Sequence, residues 1–314
     1  MQSIRSSLDH FMGDTPWRNR YEKLKQEVLH YPRIQSFLKE NEDVKQEEIN
    51  KNLSQLFEYK QEWQHCDACP GLKDCPNIMS GYQPELSADN GTLSIRYHPC
   101  RLKVKEEETI RHQKLIKSMY IPKEILNATF EDIEQDHASR LSASNLCLKF
   151  ALQTLPGESG QGLYLHGKFG VGKTYMMGAL ANELAARDIS TMLVYVPDFF
   201  REMKQALSDG SVQEKIDQVK KVEVLILDDI GAETTSAWVR DDILGVILHY
   251  RMMEKLPTLY TSNYDYEELE THLSYSQKGG IEQLKAKRIM ERIKHLTTPV
   301  FLDGKNRREN NQFS

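Results

Sequence analysis

The segment GKFGVGKT at residues 167–174 limits what this chain can fold into more than any other stretch. It fits the pattern G-x-x-x-x-G-K-[ST], follows the apolar stretch GLYLHG and opens the helical stretch GKTYMMGALANELAAR. Glycines let such a loop wrap around phosphate groups with its N–H groups turned inward, and the helix N-terminus adds a favourable dipole. The pattern therefore predicts a P-loop; a plain glycine-rich turn between strand and helix is the alternative.

The positions of this loop have different expected contacts with ATP. Lys173 is predicted to reach the β- and γ-phosphates, and the Thr174 hydroxyl is predicted to coordinate Mg²⁺. ATP and Mg²⁺ are therefore the expected cofactors of this site. The predicted nucleotide-binding residues are Gly167, Lys168, Phe169, Gly170, Val171, Gly172, Lys173, Thr174, Tyr175 and Asp228.

Polar residues end two further apolar stretches, VEVLILDD and PTLYTSN. In a P-loop sheet the first stretch delivers Asp228 to Mg²⁺, and Asp229 is predicted to polarise the attacking water. A strand-end cap or a solvated acid is the alternative for Asp229. Ligands bind at the carboxyl edge of such sheets, so Thr261 and Asn263 are predicted to lie near the γ-phosphate. A plain turn residue is the alternative for Asn263.

Helices alternate with uniformly apolar strands beyond Leu141, which predicts an α/β fold with a parallel sheet covered on both faces. Before it, apolar residues recur at helical spacing from Leu24 to Tyr59 and predict a small helical bundle. TLSIRYHPCRLKV predicts a short strand or hairpin, and KVKEEETIRHQKLIKSM a solvated helix or linker. The predicted organisation is a mostly helical domain at 1–110, a linker at 111–135 and an ATPase domain at 136–314.

Four of the five cysteines lie between residues 66 and 100. They are too few and too clustered for a disulfide scaffold, and the first pair has the spacing that wraps a tetrahedral Zn²⁺. A closed zinc site can replace much of a small domain's missing core. Substitution of His65 or His98 for one cysteine ligand, with His98 favoured beside Cys100, and a set of free buried thiols are the alternatives. The predicted ligands are Cys66, Cys69, Cys75 and Cys100.

Charge and hydropathy restrict the remaining partners. A net charge of −5 argues against a chain that coats itself in nucleic acid, although the segment from Lys285 to Arg308 is locally basic. No apolar run approaches the roughly 20 residues that a membrane span needs, and the N-terminus lacks an apolar signal core. We expect a cytoplasmic protein with no membrane partner.

The order GKFGVGKT, VLILDDIG, TSN and AKRIMERI resembles the AAA+ ATPases of the bacterial replicative helicase loader group, the DnaC and DnaI type. The resemblance covers about Tyr120 to the C-terminus, and with the cysteine-bearing region it spans nearly the whole chain. It implies an AAA+ fold in which Asn263 is similar to the sensor-1 residue. It also implies an arginine-finger segment at Arg288 to Arg292. It further implies that Arg307 or Arg308 corresponds to the family's second sensor arginine.

Catalysis is expected to be weak and to depend on assembly. Asp229 stands where many AAA+ proteins carry Glu, which argues against vigorous unaided hydrolysis. An arginine placed on the γ-phosphate by a neighbouring subunit stabilises the transition state. Arg288 and Arg292 are four residues apart and share a helix face, with a solvated basic face as the alternative. The predicted catalytic residues are Lys173, Asp228, Asp229, Asn263, Arg288 and Arg292.

The favoured function is an ATP-dependent helicase loader. The resemblance implies that the N-terminal domain contacts the hexameric replicative DNA helicase, and that the ATPase domain assembles on it or with itself. The loader would then deliver this helicase onto single-stranded DNA at replication initiation or restart. The candidate DNA contacts, which a solvated face explains equally well, are Lys285, Lys287, Lys294 and Lys305.

Three other functions are alternatives to the helicase-loader hypothesis. A transposition helper of the same ATPase group would not need the cysteine region. A small-molecule P-loop kinase should carry a lid, and the sequence shows none. An initiator that reads duplex DNA should carry a helix-turn-helix after Leu302, and no such pattern is seen there.

Overall fold

The computed structural model describes residues 15–208, 210–233, 236–276 and 280–307. The chain divides into two compact units at the bond between Thr109 and Ile110. They are called the N-terminal unit and the C-terminal unit below. No helix within the described ranges is long and apolar enough to cross a membrane.

In its described residues, the N-terminal unit combines helices with an antiparallel hairpin, as the helical spacing and the β-branched stretch predicted. Asn90 and Gly91 both have positive φ, which is the backbone geometry of a two-residue hairpin turn. Val28, Ile34 and Leu56 are fully buried in the core between these elements. The elements are α1 (Thr15–Leu29), α2 (Pro32–Glu40), α3 (Gln46–Lys51), α4 (Leu53–Asp67), β1 (Tyr82–Asp89), β2 (Thr92–Pro99) and α5 (Arg101–Leu115), which runs into the second unit.

A six-stranded parallel sheet organises the C-terminal unit, which confirms the predicted α/β fold. Its strand order is β10-β4-β7-β6-β5-β3. The strands are β3 (Ile116–Met119), β4 (Gly162–His166), β5 (Thr191–Tyr195), β6 (Val224–Asp228), β7 (Thr258–Ser262) and β10 (Thr297–Phe301), and a two-stranded ribbon pairs β8 (Tyr275–Ser276) with β9 (Gly280–Ile281).

Helices cover both faces of this sheet because successive strand residues point to opposite sides. Leu225 and Leu227 of β6 belong to one apolar core, whereas Val224 and Ile226 belong to the other. The helices are α6 (Lys123–Leu126), α7 (Ala138–Gln153), α8 (Lys173–Ala186), α9 (Val196–Ala206), α10 (Val212–Lys220), a π-helical turn (Val239–Leu244), α11 (Gly245–Met253), α12 (Tyr266–Ser274) and α13 (Gln283–Leu296).

The segment 111–135, predicted as a linker, takes part in the fold of the C-terminal unit. It contains the edge strand β3 and the short helix α6. The side chains of Ile116, Ile121 and Ile125 pack against the core on the α8 side of the sheet. Its charged sequence conceals these three apolar contacts, which is why the pattern alone suggested a solvated connector.

Candidate functional site

The P-loop connects β4 to α8 at the carboxyl edge of the sheet. Gly172 adopts a left-handed conformation with φ of 93° and caps the N-terminus of α8. Gly170 also has a positive φ, and a Cβ atom there would lie 1.7 Å from Oδ1 of Asn306. Only glycine fits this turn without displacing its neighbours.

Lys173 is 7% exposed and its ammonium group has three acceptors within hydrogen-bond distance. Nζ donates to the carbonyl oxygens of Gly167 and Lys168 and to Oδ1 of Asn263, each over 2.8 Å. An ammonium group has three N–H donors, so these bonds hold the side chain over the loop. The structure thereby brings together two predicted catalytic residues: Lys173, at the start of α8, and Asn263, directly after β7.

Asp228 lies beside Thr174, as expected for two groups predicted to act on one Mg²⁺. Oδ1 of Asp228 accepts hydrogen bonds from the hydroxyls of Thr174 at 2.9 Å and Thr261 at 2.6 Å. Burial raises the pKa of the Asp228 carboxyl, whereas these two hydroxyls lower it. Carboxylate and hydroxyl oxygens are ligands that Mg²⁺ accepts, so the residues present fit this ion.

Asp229 follows β6 with a φ of 60°, an unusual conformation for a residue with a side chain. Two contacts hold it there: its N–H donates to Oγ1 of Thr261 at 2.8 Å, and Oδ1 accepts from Nδ2 of Asn263 at 2.9 Å. Thr261 was predicted to lie near the γ-phosphate; the side chain is 1% exposed, and its hydroxyl contacts the two acids. Its distance from a bound phosphate stays a prediction, and the residue lies inside the sheet, one position before β7 ends.

The other loop residues have less uniform surroundings. Val171 is buried, whereas the Phe169 side chain is 68% exposed. Lys168 forms an ion pair with Asp303 over 3.4 Å. The hydroxyl of Tyr175 lies 3.5 Å from Oδ2 of Asp132.

The sequence analysis did not identify Arg140, a buried residue of α7 that contacts the backbone of the P-loop. This arginine is 3% exposed and donates to the carbonyl of Val171 over 2.5 Å. It also forms an ion pair with Asp136 at 3.2 Å. Arg140 stands four residues after this acid, but no motif marks it, so only the three-dimensional contact identifies it.

Arg307 contacts acids and the P-loop backbone. Its backbone N–H donates to the carbonyl of Gly170, and its guanidinium forms ion pairs with Glu134 and Asp136, each over 2.9 Å. Arg308, the other residue suggested as a second sensor, lies outside the described residues.

The two predicted trans-acting arginines differ in their surroundings. Both lie on α13, which packs on the face of the sheet opposite to α8. Arg292 is half-buried and donates to the carbonyl of Gly245 over 2.8 Å. Arg288 is exposed and has no hydrogen-bond or ion-pair partner among the described residues. Neither contacts the P-loop of its own chain in the part of the structure that is described.

The basic residues considered for DNA contact also fall into two groups. Lys285 pairs with Asp241 and Glu282, and Lys294 pairs with Glu270. Lys287 and Lys305 are exposed.

The four clustered cysteines line one cavity of about 310 Å³ in the N-terminal unit, together with His65. Asn77 Nδ2 donates to Sγ of Cys66 at 3.3 Å, and the Gly81 N–H donates to Sγ of Cys75 at 3.4 Å. Burial raises the pKa of Cys66, whereas the Gly81 hydrogen bond lowers that of Cys75. The cysteines on this cavity are Cys66, Cys69, Cys75 and Cys100.

Within the described ranges, no three His, Cys, Asp or Glu side chains are close enough together to hold a metal ion. Zinc at the cysteines therefore stays a prediction. His98, the suggested substitute ligand, pairs with Glu85 and does not line the cavity.

Two family models match the chain. Residues 1–97 match the family described as primosomal protein DnaI N-terminus. Residues 84–313 match the family described as IstB-like ATP binding protein. The two matches together span both units.

Individual relatives extend this result. The chain is 43% identical over 309 residues to the replicative helicase loader DnaI of Bacillus subtilis, covering 98% of this chain and 99% of that protein. A crystal structure of DnaI matches 63% of this chain and 99% of its own length, with 50% identity and a TM-score of 0.56. A putative primosome component from Streptococcus pyogenes covers the same share, and 97% of its own chain, at 39% identity and a TM-score of 0.53.

Proposed function

The chain belongs to the DnaI family of replicative helicase loaders, and from that membership we propose that it delivers the hexameric replicative DNA helicase onto single-stranded DNA at replication initiation or restart. The observation that carries the proposal is the similarity to the B. subtilis loader over 98% of the chain, because it includes both units. Similarity confined to the ATP-binding unit would fit many other AAA+ proteins.

The C-terminal unit binds ATP through its P-loop. Lys173 binds the β- and γ-phosphates, and Thr174 and Asp228 hold Mg²⁺. Bound Mg²⁺ neutralises the charge that develops on the phosphates. The hydrogen bond between Thr174 and Asp228 supports this assignment, since it places both groups at one point on the carboxyl edge of the sheet.

Asp229 is the general base that accepts a proton from the attacking water. The Asn263 amide supports this role because it contacts both Asp229 and Lys173, and so fixes the base relative to the phosphate-binding ammonium group. The side chain of Asp is shorter than that of Glu, so unassisted hydrolysis is slow.

Arg288 from a neighbouring copy supplies the positive charge that raises turnover on assembly, either of the chain with itself or on the helicase hexamer. Its exposure and its lack of a partner among the described residues support this choice. Arg292 is the weaker candidate because it already bonds to the Gly245 carbonyl.

The N-terminal unit binds the helicase, and its four cysteines would hold a structural zinc ion as thiolates, which requires their sulfurs to come closer together than they are in this structure. The N–H groups that Asn77 and Gly81 direct at two sulfurs support this assignment, because such bonds stabilise thiolate ligands. Bound zinc would crosslink the chain segments that line the cavity and so stabilise this unit.

Single-stranded DNA binds the C-terminal unit through exposed lysines. Lys287 and Lys305 are the best candidates because Lys285 and Lys294 already form ion pairs. The transposition-helper alternative is not favoured, since residues 1–97 match the DnaI N-terminus and that alternative leaves them without a role.

The test is binding of the full chain to the hexameric replicative helicase of the same organism, measured by size-exclusion chromatography with light scattering. We expect a stable complex, both with and without ATP, because the N-terminal unit makes the contact. A Lys173→Ala variant should still bind the helicase but not ATP. Failure of the wild-type chain to bind the helicase would refute the loader assignment.

A further inference from the structure

The hydroxyl of Thr261 is the point at which both candidate catalytic acids meet the neighbouring strand. Its oxygen donates to Oδ1 of Asp228 over 2.6 Å and accepts from the N–H of Asp229 over 2.8 Å. Thr261 lies on β7 with 1% of its surface exposed, so it does not itself face a bound nucleotide. Any effect of this side chain on chemistry must pass through the two acids.

Burial in the sheet does not by itself require a hydroxyl to be bonded. Thr191 on β5 is also fully buried, and its Oγ1 has no hydrogen-bond partner among the described residues. The two threonines thus differ in their contacts although their surroundings are equally dry. The contacts of Thr261 are specific to the end of β6 and are not a general feature of this sheet.

The hydrogen bond from the Thr261 hydroxyl also determines which carboxylate oxygen of Asp228 is available to another ligand. Thr261 and Thr174 both donate to Oδ1, and no hydrogen bond to Oδ2 occurs within the described ranges. A carboxylate held in this way cannot rotate without losing one of the two bonds. The same hydroxyl holds the N–H of Asp229, whose φ of 60° needs support from its surroundings.

From this geometry we propose that Thr261 is a positioning residue, which orients Asp228 for Mg²⁺ and fixes the turn that places Asp229. The proposal rests on the ATP-dependent function above and adds to it a residue that does not touch the nucleotide. Groups that hold metal ligands in place contribute to ion affinity on the order of 10- to 100-fold. The effect of Thr261 on nucleotide affinity is therefore confined to binding that requires Mg²⁺.

The experiment compares the affinity for a fluorescent ATP analogue in Mg²⁺ and in EDTA. In Thr261→Val, which removes the hydroxyl at nearly constant volume, the Mg²⁺-dependent gain in affinity should fall on the order of 10- to 100-fold. Affinity in EDTA should stay at the wild-type value. Thr261→Ser should restore most of the gain, and the matched control Thr191→Val should leave both affinities unchanged.

Three outcomes would overturn the inference. One is a Thr261→Val protein that keeps the full Mg²⁺-dependent gain, and another is an equal loss of affinity in Mg²⁺ and in EDTA, which indicates a purely structural role. The third is a wild-type chain whose affinity does not respond to Mg²⁺, which would also refute the proposed nucleotide chemistry. If Thr261→Val does not fold, Thr261→Ala compared with Thr261→Ser isolates the same hydroxyl.

Discussion

Nζ of Lys173 donates a hydrogen bond of 2.8 Å to Oδ1 of Asn263. The same amide donates to Oδ1 of Asp229 through its nitrogen. One side chain thus connects the ammonium group that binds phosphate to the proposed general base. An Asn amide has both a donor and an acceptor, and both are used here.

Replacing Asn263 with Ala should separate binding from turnover. We expect ATP affinity close to that of the wild type, since the phosphate-binding loop is intact, and a fall in kcat on the order of tenfold or more because Asp229 loses its orientation. Equilibrium binding and single-turnover hydrolysis measure the two effects. Lys173→Ala is the comparison variant, and it should lose binding itself. An Asn263→Ala enzyme with wild-type kcat would contradict the proposal that Asn263 orients Asp229.

Replacing Asp229 with Asn should abolish turnover and leave the fold intact. Asn accepts the left-handed conformation that residue 229 adopts, whereas Ala pays a backbone cost of about 1 kcal/mol there. Urea unfolding should therefore show Asp229→Asn close to the wild type and Asp229→Ala less stable. Both variants should bind ATP but fail to hydrolyse it. Substantial hydrolysis by Asp229→Asn would remove Asp229 from the role of base.

The P-loop between β4 and α8 and the acids at the end of β6 could be predicted from sequence because their residues occur at fixed spacings next to apolar strands. Lys173 and Asp228 needed only a local pattern to be identified. The contacts of Thr261 and Arg140 depend on which strands and helices become neighbours, and a single sequence does not determine that. In the same way β3 was missed, because Lys117 and Ser118 make a short edge strand look like part of a polar connector.

Arg288→Ala and Arg292→Ala should affect different quantities. Arg288→Ala should lower ATP hydrolysis in the assembled state and leave both ATP binding and stability unchanged, because this side chain has no partner in the described part of its own chain. Arg292→Ala should lower stability by about 1 kcal/mol through loss of its bond to the Gly245 carbonyl.

Helicase-stimulated hydrolysis and urea unfolding of the two arginine variants give these quantities. Unchanged stimulated turnover in both would exclude an arginine finger on α13. A drop with Arg292→Ala alone, beyond what its loss of stability explains, would transfer the role to Arg292.

Metal analysis of the purified protein should find one zinc ion per chain, and removing it with a chelator should destabilise the N-terminal unit. Cys69→Ser should lose most of the zinc, because three thiolates do not complete a tetrahedral site. Cys147→Ser is the control. Cys147 is fully buried in the C-terminal unit, and burial raises its pKa to about 12, so its replacement should leave the zinc content unchanged. Wild-type protein without zinc would contradict the prediction.

As a helicase loader, this chain should place the hexameric helicase ring on DNA that has no free end. Circular single-stranded DNA carrying an annealed labelled oligonucleotide tests it directly, since a hexamer cannot thread onto a circle that has no end. Release of the oligonucleotide by the replicative helicase should require the wild-type chain and ATP, and it should be weak with Lys173→Ala. Equal release with and without the chain, while the helicase is active on linear DNA, would refute the loader assignment.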